Sequence, residues 1–323
     1  MRRLTALALP SAMALLAAAA ALHAGPAAAE PLPVVWDLAA AQANRLHVLA
    51  DPNWAPPGAN DPSCRLTPAH PNPVVLINPL FSTAEAFSAD APYLRNNGYC
   101  VFTFNYGNIT PYPNVPSQSL AHARDSAQDI ATEVDKVRAR TGAARVDLLA
   151  WSYGAFAAAY YLNLLDGNRY VDKMIAIAPI NHGTNVPGFD LEPLSTLLAR
   201  TGADPIASTA PAIAEQRSES AVTQQIWANG DTRPGVTYTV IATRYDQGSN
   251  PYTRQFLHGP TVTDITVQDG CPADHSDHYS IAFNERTYRY ALNALDPAHP
   301  VLIPCFPVEP TQGWVRAASV GDS

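Results

Sequence analysis

Val146-Asp147-Leu148-Leu149-Ala150-Trp151-Ser152-Tyr153-Gly154 is a short apolar run that stops at a serine and passes into an Ala-, Tyr- and Leu-rich segment, 153–165. The run before the serine reads as a strand buried on both faces, and the segment after it as a helix. Ser152 therefore stands at a strand-to-helix junction. A serine hydroxyl becomes a useful nucleophile when a sharp turn presents it beside a base. Such a turn brings strand and helix so close that the residues two before and two after the serine must be small. Here they are Ala150 and Gly154, an A-x-S-x-G form of the nucleophile elbow. A serine that merely fills a βα turn is the bland alternative, and the flanking strand and helix weigh against it.

The surrounding chain repeats the same rhythm. Apolar, β-branched runs at 73–77 and 100–106 precede the junction, and runs at 173–178, 236–244 and 262–267 follow it. Between them, 85–97 reads as a helix broken at Pro92 and ended by Gly98. Ser117 is the expected N-cap of a helix reaching Arg140, with Ile130, Val134 and Val137 at helical spacing and Thr141-Gly142 as its stop. A last helix is expected over 285–295. Strands alternating with helices predict an α/β fold with a mostly parallel central sheet flanked by helices. The rhythm lapses at about 181–235, read as a cap insertion with short apolar helix candidates such as 191–199. The α/β domain is thus 73–323, preceded by an extension, 30–72, with a helical stretch near 38–49.

An acid and a base should follow the serine, in that order, in a fold of this kind. Tyr245-Asp246-Gln247-Gly248 turns the chain at the end of the strand 236–244, and catalytic groups of open α/β sheets collect at the carboxyl ends of strands. Asp246 is accordingly the candidate acid, against the alternative of a solvated turn aspartate. Two histidines lie after the final strand, in Asp274-His275-Ser276-Asp277-His278, and spacing does not separate them. His47, His70, His122, His182 and His258 come before that strand and His299 after the last helix, so each is read as capping or packing. The imidazole would take the serine proton and return it to the leaving alcohol, while the acid holds its tautomer.

With these residues in place, 64–308 resembles the secreted actinobacterial triacylglycerol lipases and esterases of the α/β-hydrolase superfamily, and is class 2 lipase-like. The resemblance runs through 73–80, 98–107, the elbow, Ala178-Pro179-Ile180-Asn181-His182-Gly183-Thr184, 239–253 and 268–283. It implies a secreted carboxylic ester hydrolase working through an acyl-enzyme on lipid or other esters. It also implies that the acid lies in Thr243-Arg244-Tyr245-Asp246, and that the base is His278, directly after a Ser-Asp pair. The oxyanion donors it implies are the backbone N–H groups of Leu80 and Tyr153. Two departures stand out. The family's oxyanion loop His-Gly-Thr-Phe is here Asn78-Pro79-Leu80-Phe81, and proline offers no N–H. Its His-Ser-Gln-Gly-Gly elbow is here Trp151-Ser152-Tyr153-Gly154-Ala155, so aromatics on both sides of the serine predict a reshaped acyl pocket. The same triad would serve an acyltransferase or a polyester hydrolase; a catalytically silent binding protein is the alternative from another class.

Compartment and partners follow from the rest of the chain. Met1-Arg2-Arg3, an Ala- and Leu-rich stretch to Leu22 and Ala27-Ala28-Ala29 before Glu30 read as a signal peptide, 1–29, cleaved near Ala29 and sending the protein out of the cell. The four cysteines then read as two disulfides with three possible connectivities. The neighbour pairing, Cys64 with Cys100 and Cys271 with Cys305, is our choice. The formal charge is −8, without a basic stripe, which argues against nucleic acid and against docking on anionic lipid by charge. Apolar segments at 191–194 and 213–226 have two readings, transient contact with a lipid interface or packing in the core. No motif implies a cofactor or a metal. Chelation with EDTA should therefore leave ester hydrolysis unchanged, and a loss of activity would bring a metal into the site.

Overall fold

The computed structural model describes residues 30–185, 210–311 and 313. The expected signal peptide and the helix candidate at 191–199 lie outside the described residues. The described residues from Leu32 onward form one compact unit. Six strands, β1 (Val74–Ile77), β2 (Val101–Thr103), β3 (Val146–Trp151), β4 (Val171–Ile177), β5 (Thr237–Ala242) and β6 (Val262–Thr266), pair in the order β2-β1-β3-β4-β5-β6, every pair parallel. The direction of winding reverses between β1 and β3, so the loops leaving these two strands diverge and open a crevice at their carboxyl ends.

The apolar runs behave as a sheet covered on both faces demands. Every residue of β1, β2 and β3 is buried. Val75, Ile77, Phe102, Leu148 and Ala150 face one core, and Val74, Leu76, Val101, Leu149 and Trp151 face the other. The first core is closed by α4 (Ala123–Thr141) and α5 (Tyr153–Leu164); the second by α3 (Asp90–Asn96), α8 (Glu285–Leu295) and Trp36. Along α4, Ala123, Ala127, Ile130, Val134 and Val137 form the buried stripe at alternating four- and three-residue steps. In the extension, α1 (Leu38–Ala43) and α2 (Arg45–Ala50) occupy the expected helical stretch as two short pieces. After the undescribed segment come α6 (Pro211–Glu215) and α7 (Ala221–Trp227).

Three local expectations are corrected. The helix over 85–97 divides at Ser88 and Ala89 into a 3-10 turn, Ala84–Phe87, and α3; Pro92 lies in the first turn of α3, where its missing N–H costs nothing. The strand over 100–106 keeps only three residues, because β2 is the sheet edge. Its outer side is taken by the extension, where Asn60 donates its backbone N–H to the Val101 carbonyl and its side-chain amide to that of Thr103. Ser117 does not cap α4. The helix begins after His122, and the cap comes from far along the chain: a Glu215 carboxylate oxygen accepts from the Ala123 N–H at 2.7 Å, and the other meets His122 Nδ1 at 2.6 Å.

The cysteines are bonded as Cys64–Cys100 and Cys271–Cys305, with Cα separations of 5.6 and 5.0 Å. The first ties the extension to the start of β2, and the second ties the loop after β6 to the segment after α8. No helix among the described residues is long and apolar enough to cross a membrane.

Glu215→Ala should remove the distant cap of α4 at about 1 kcal/mol. This predicts a melting temperature lower by about 2–4 °C, which Glu215→Gln should partly restore. An unchanged melting temperature for both would mean that solvent caps the helix equally well.

Candidate active site

Ser152 has φ 55° and ψ −123°, a conformation that a side-chain-bearing residue adopts only where its surroundings enforce it. The enforcement is visible. Its N–H donates to the Ile177 carbonyl at 3.0 Å, which continues the β3–β4 ladder to the last residue before the helix. Two residues on, α5 presses against the end of β1: a Cβ on Gly154 would lie 2.3 Å from the Ile77 carbonyl oxygen and 2.8 Å from that of Asn78. Only glycine fits there, and Ala150 on the strand side is fully buried. The small residues of the elbow are small because two backbones meet at that point.

The loops leaving β5 and β6 carry the other two groups. Ser152 Oγ lies 2.9 Å from His278 Nε2, and His278 Nδ1 lies 2.9 and 3.0 Å from the two oxygens of Asp246. Asp246 Oδ1 also accepts from the N–H groups of Gly248 and Ser249, each at 2.7 Å. The carboxylate thus faces the ring with its charge already held by the turn that follows it. A Cβ on Gly248 would come within 2.6 Å of the imidazole, so this glycine lets the turn lie flat against the ring. His278 and Asp246 side chains are 3% and 0% exposed, and at such burial their attraction is weakly screened. Burial opposes the imidazolium, but the Asp246 charge and hydrogen bond, with Asp277 adding to them, hold His278 above its ordinary value.

His275 is not part of this arrangement; its ring packs against Tyr245, with centroids 5.7 Å apart. Of the two histidines that spacing leaves open, His278 is the one that lies beside both Ser152 and Asp246. Its N–H donates to Gln247 Oε1 at 3.0 Å, and its carbonyl accepts from the Trp151 indole at 3.2 Å. Gln247 Nε2 in turn donates to Asp277 at 2.9 Å. Burial works against the Asp277 anion, yet the donors of Ser280 and Gln247 hold its carboxyl below the usual range. Behind this layer, Asp274 and Arg286 form an ion pair at 3.2 Å with both side chains wholly buried. Arg286 also donates to the carbonyls of Val267 and Pro304, and Asp274 accepts from Ser276 and Asn284. Removing either partner of such a pair strands a buried charge, at a cost of about 3–5 kcal/mol. Sequence reading missed Gln247, Arg286 and the indole. Gln247 is next to the candidate acid and could have been flagged by proximity; nothing in the sequence pairs Arg286 with Asp274.

A cavity of about 240 Å³ opens onto Ser152 and His278, walled by Pro79, Leu80, Phe81, Ala86, Trp151, Tyr279 and Phe283. The first helices reach it as well, through Ala41, Gln42 and Arg45. The two aromatics flanking the serine behave differently. Trp151 lines the cavity, whereas Tyr153 is fully buried away from it, stacked on Phe156 in the core beneath α4. The elbow aromatics therefore shape the cavity from one side. The departing loop at Asn78 is firmly held: the Asn78 amide donates to Ser119 Oγ at 2.7 Å and the Ser82 carbonyl at 2.9 Å, and Tyr106 donates to the Asn78 carbonyl at 2.5 Å. Among the described residues, the N–H groups of Leu80 and Tyr153 donate to no protein acceptor.

The fold and site have counterparts. The profile of the family described as Lipase (class 2) matches residues 71–280. Among solved structures, the chain is similar to Aspergillus fumigatus lipase B, at 18% identity and a TM-score of 0.56, over 77% of this chain and 61% of that one. It spans, then, less than two thirds of the fungal enzyme's length. It is also similar to Bacillus licheniformis lipase BlEst2 in its mature form, at 16% identity and a TM-score of 0.53, over 73% of this chain and 96% of that one. At these identities the likeness is one of fold. No curated protein matches the sequence.

If His278 is the base, kcat/KM should fall on its acid side with a midpoint above about 6.5, the ordinary histidine value, because only the neutral ring accepts the proton. Asp246→Asn should move that midpoint down and lower the plateau. A wild-type midpoint below the ordinary value would contradict the assigned base.

Proposed function

Because the chain belongs to the class 2 lipase family, and is accordingly a serine carboxylic ester hydrolase, we propose that Ser152, His278 and Asp246 are its nucleophile, base and acid, and that lipid esters are its substrates. The observation that carries this reading is the continuous buried chain of hydrogen bonds from Ser152 Oγ through His278 to Asp246. Ser152 Oγ attacks the ester carbonyl carbon while His278 Nε2 takes the hydroxyl proton, and the carbonyl oxygen becomes an oxyanion. The N–H groups of Leu80 and Tyr153 receive that oxyanion; their lack of other acceptors among the described residues supports this role. Collapse expels the alcohol, which leaves with the proton from His278, and an acyl-Ser152 remains. Water then attacks the acyl carbon, its proton passes to His278, and the acid departs as Ser152 regains a proton.

A lipid acyl group is favoured by the cavity, whose walls are chiefly Pro79, Leu80, Phe81, Ala86, Trp151 and Phe283. Apolar side chains stand exposed at its rim, with Phe81 at 44% and Tyr279 at 45%, which supports transient contact with a lipid interface. Export is supported by two disulfides in a chain whose first residues read as a cleavable signal.

The test is mass spectrometry of the secreted protein after reaction with a fluorophosphonate. We expect a mature chain beginning at Glu30 and a single adduct on Ser152, absent in Ser152→Ala and formed at least about 100-fold more slowly in His278→Ala. p-Nitrophenyl esters of graded chain length should be cleaved, with longer acyl chains preferred. A folded wild type that is neither labelled nor active would overturn the triad.

A further inference from the structure

Arg45 lies in the extension, outside the region that the family profile matches, yet it reaches the candidate active site. Its Nη2 donates to the Phe81 carbonyl and, at 3.4 Å, to that of Pro116, while its Nε meets Glu85 Oε1 at 3.3 Å. Phe81 follows Leu80 directly and has φ 57°, in the left-handed region that a bulky side chain avoids. Such a residue keeps this conformation only when its neighbours over-determine it. The guanidinium does so by gripping the carbonyl of that same residue.

Glu85 completes the clamp from the other side. Its carboxylate accepts from Ser82 Oγ at 2.9 Å and from the Thr83 N–H at 2.8 Å, and also from the Thr83 hydroxyl. Its side chain is 2% exposed, and Arg45, at 32%, is its charged partner. The stretch from Pro79 to Thr83 is thus pinned at Asn78 by side-chain amide bonds and at Phe81 to Thr83 by the Arg45–Glu85 pair. Pro79 and Leu80 are the residues between the two pins. The helices that present Arg45 are themselves anchored: Asn44 donates to Ser88 Oγ at 2.8 Å, and Asn114 donates to the Leu49 carbonyl at 3.0 Å. Two carbonyls and a carboxylate held at once need the planar fork of arginine; a lysine ammonium would hold fewer of them in fixed geometry.

We propose that Arg45 is a positioning residue for oxyanion stabilisation, and that α1 and α2 are thereby part of the active site. Arg45 touches no reacting atom; it holds the Phe81 carbonyl so that the neighbouring Leu80 N–H stays aimed beside Ser152. The proposal rests on the reading of Leu80 as an oxyanion donor. Loosening a preorganised donor weakens transition-state binding while ground-state binding persists, so the loss belongs in kcat.

The test is steady-state hydrolysis of a p-nitrophenyl ester by wild type, Arg45→Ala and Arg45→Lys, each rate divided by the sites titrated with a fluorophosphonate. We expect kcat per titrated site to fall about 10–100-fold in Arg45→Ala with KM within about 3-fold, and less in Arg45→Lys. Affinity for a trifluoromethyl ketone, whose serine adduct carries the oxyanion, should fall by the same factor as kcat/KM. Added guanidinium should recover part of the Arg45→Ala rate. A merely structural role would lower the melting temperature and the number of titratable sites, with kcat per site and ketone affinity unchanged, and that result overturns the proposal while the triad stands. A wild type that neither hydrolyses the ester nor is labelled at Ser152 overturns both.

Discussion

The close approach of α5 to the end of β1 is the constraint on which the rest depends. Gly154 passes the Ile77 and Asn78 carbonyls with no room for a methyl group, and Ser152 is driven into a left-handed turn just before it. This can happen only where β3 and β1 are neighbours and their outgoing loops part, at the reversal of strand order. One geometric fact thus places the serine at the crevice, sets the N-terminus of α5 beneath it, and brings the loop after β1 alongside.

Electrostatics then orders the opposite wall. His278 is buried, and burial alone would keep its ring neutral; the Asp246 carboxylate reverses that balance. Asp246 is in turn held by two N–H donors from its own turn. Gln247 connects the Asp246 loop to the His278 loop by accepting from the His278 N–H and donating to Asp277. The ion pair of Asp274 with Arg286 and the Cys271–Cys305 bond hold the His278 loop from behind. Each layer satisfies the polar groups of the one before it, which is what permits charged groups at this depth.

The two walls differ in origin. Ser152, Asp246 and His278 lie at or beyond the strand ends of the sheet; order along the chain pointed to the first two, and the family resemblance to the third. The wall near the loop at Asn78 is completed by α1 and α2, which lie ahead of the matched region and have no strand to anchor them. Their attachment adds to the buried Ala41 and Val48 a set of side-chain bonds: Arg45 to Phe81 and Glu85, Asn44 to Ser88, and Asn114 to Leu49. Such a wall can differ between relatives while the sheet stays the same, because loops tolerate change that buried strands do not.

By itself the sequence determined what is local or periodic. Strands buried on both faces read as apolar runs, helices as a 3.6-residue stripe, and the elbow as small residues around a serine, because each pattern reflects the immediate neighbourhood of the backbone. The α/β architecture, the strand positions within a few residues, Ser152 and the turn at Asp246 were legible on those grounds. Tertiary structure decided whatever joins distant residues. It surrounded His278 with Ser152, Asp246, Gln247 and Trp151 and set His275 against Tyr245, two histidines that spacing treats alike and that only the family resemblance distinguishes. It moved the start of α4 from Ser117 to His122, because Glu215 supplies a cap from 92 residues away. It turned Tyr153 into the core and left Trp151 on the cavity. Arg45 reaches the Phe81 carbonyl only after the extension has folded back over the sheet, and no periodicity records a contact that long-range packing creates.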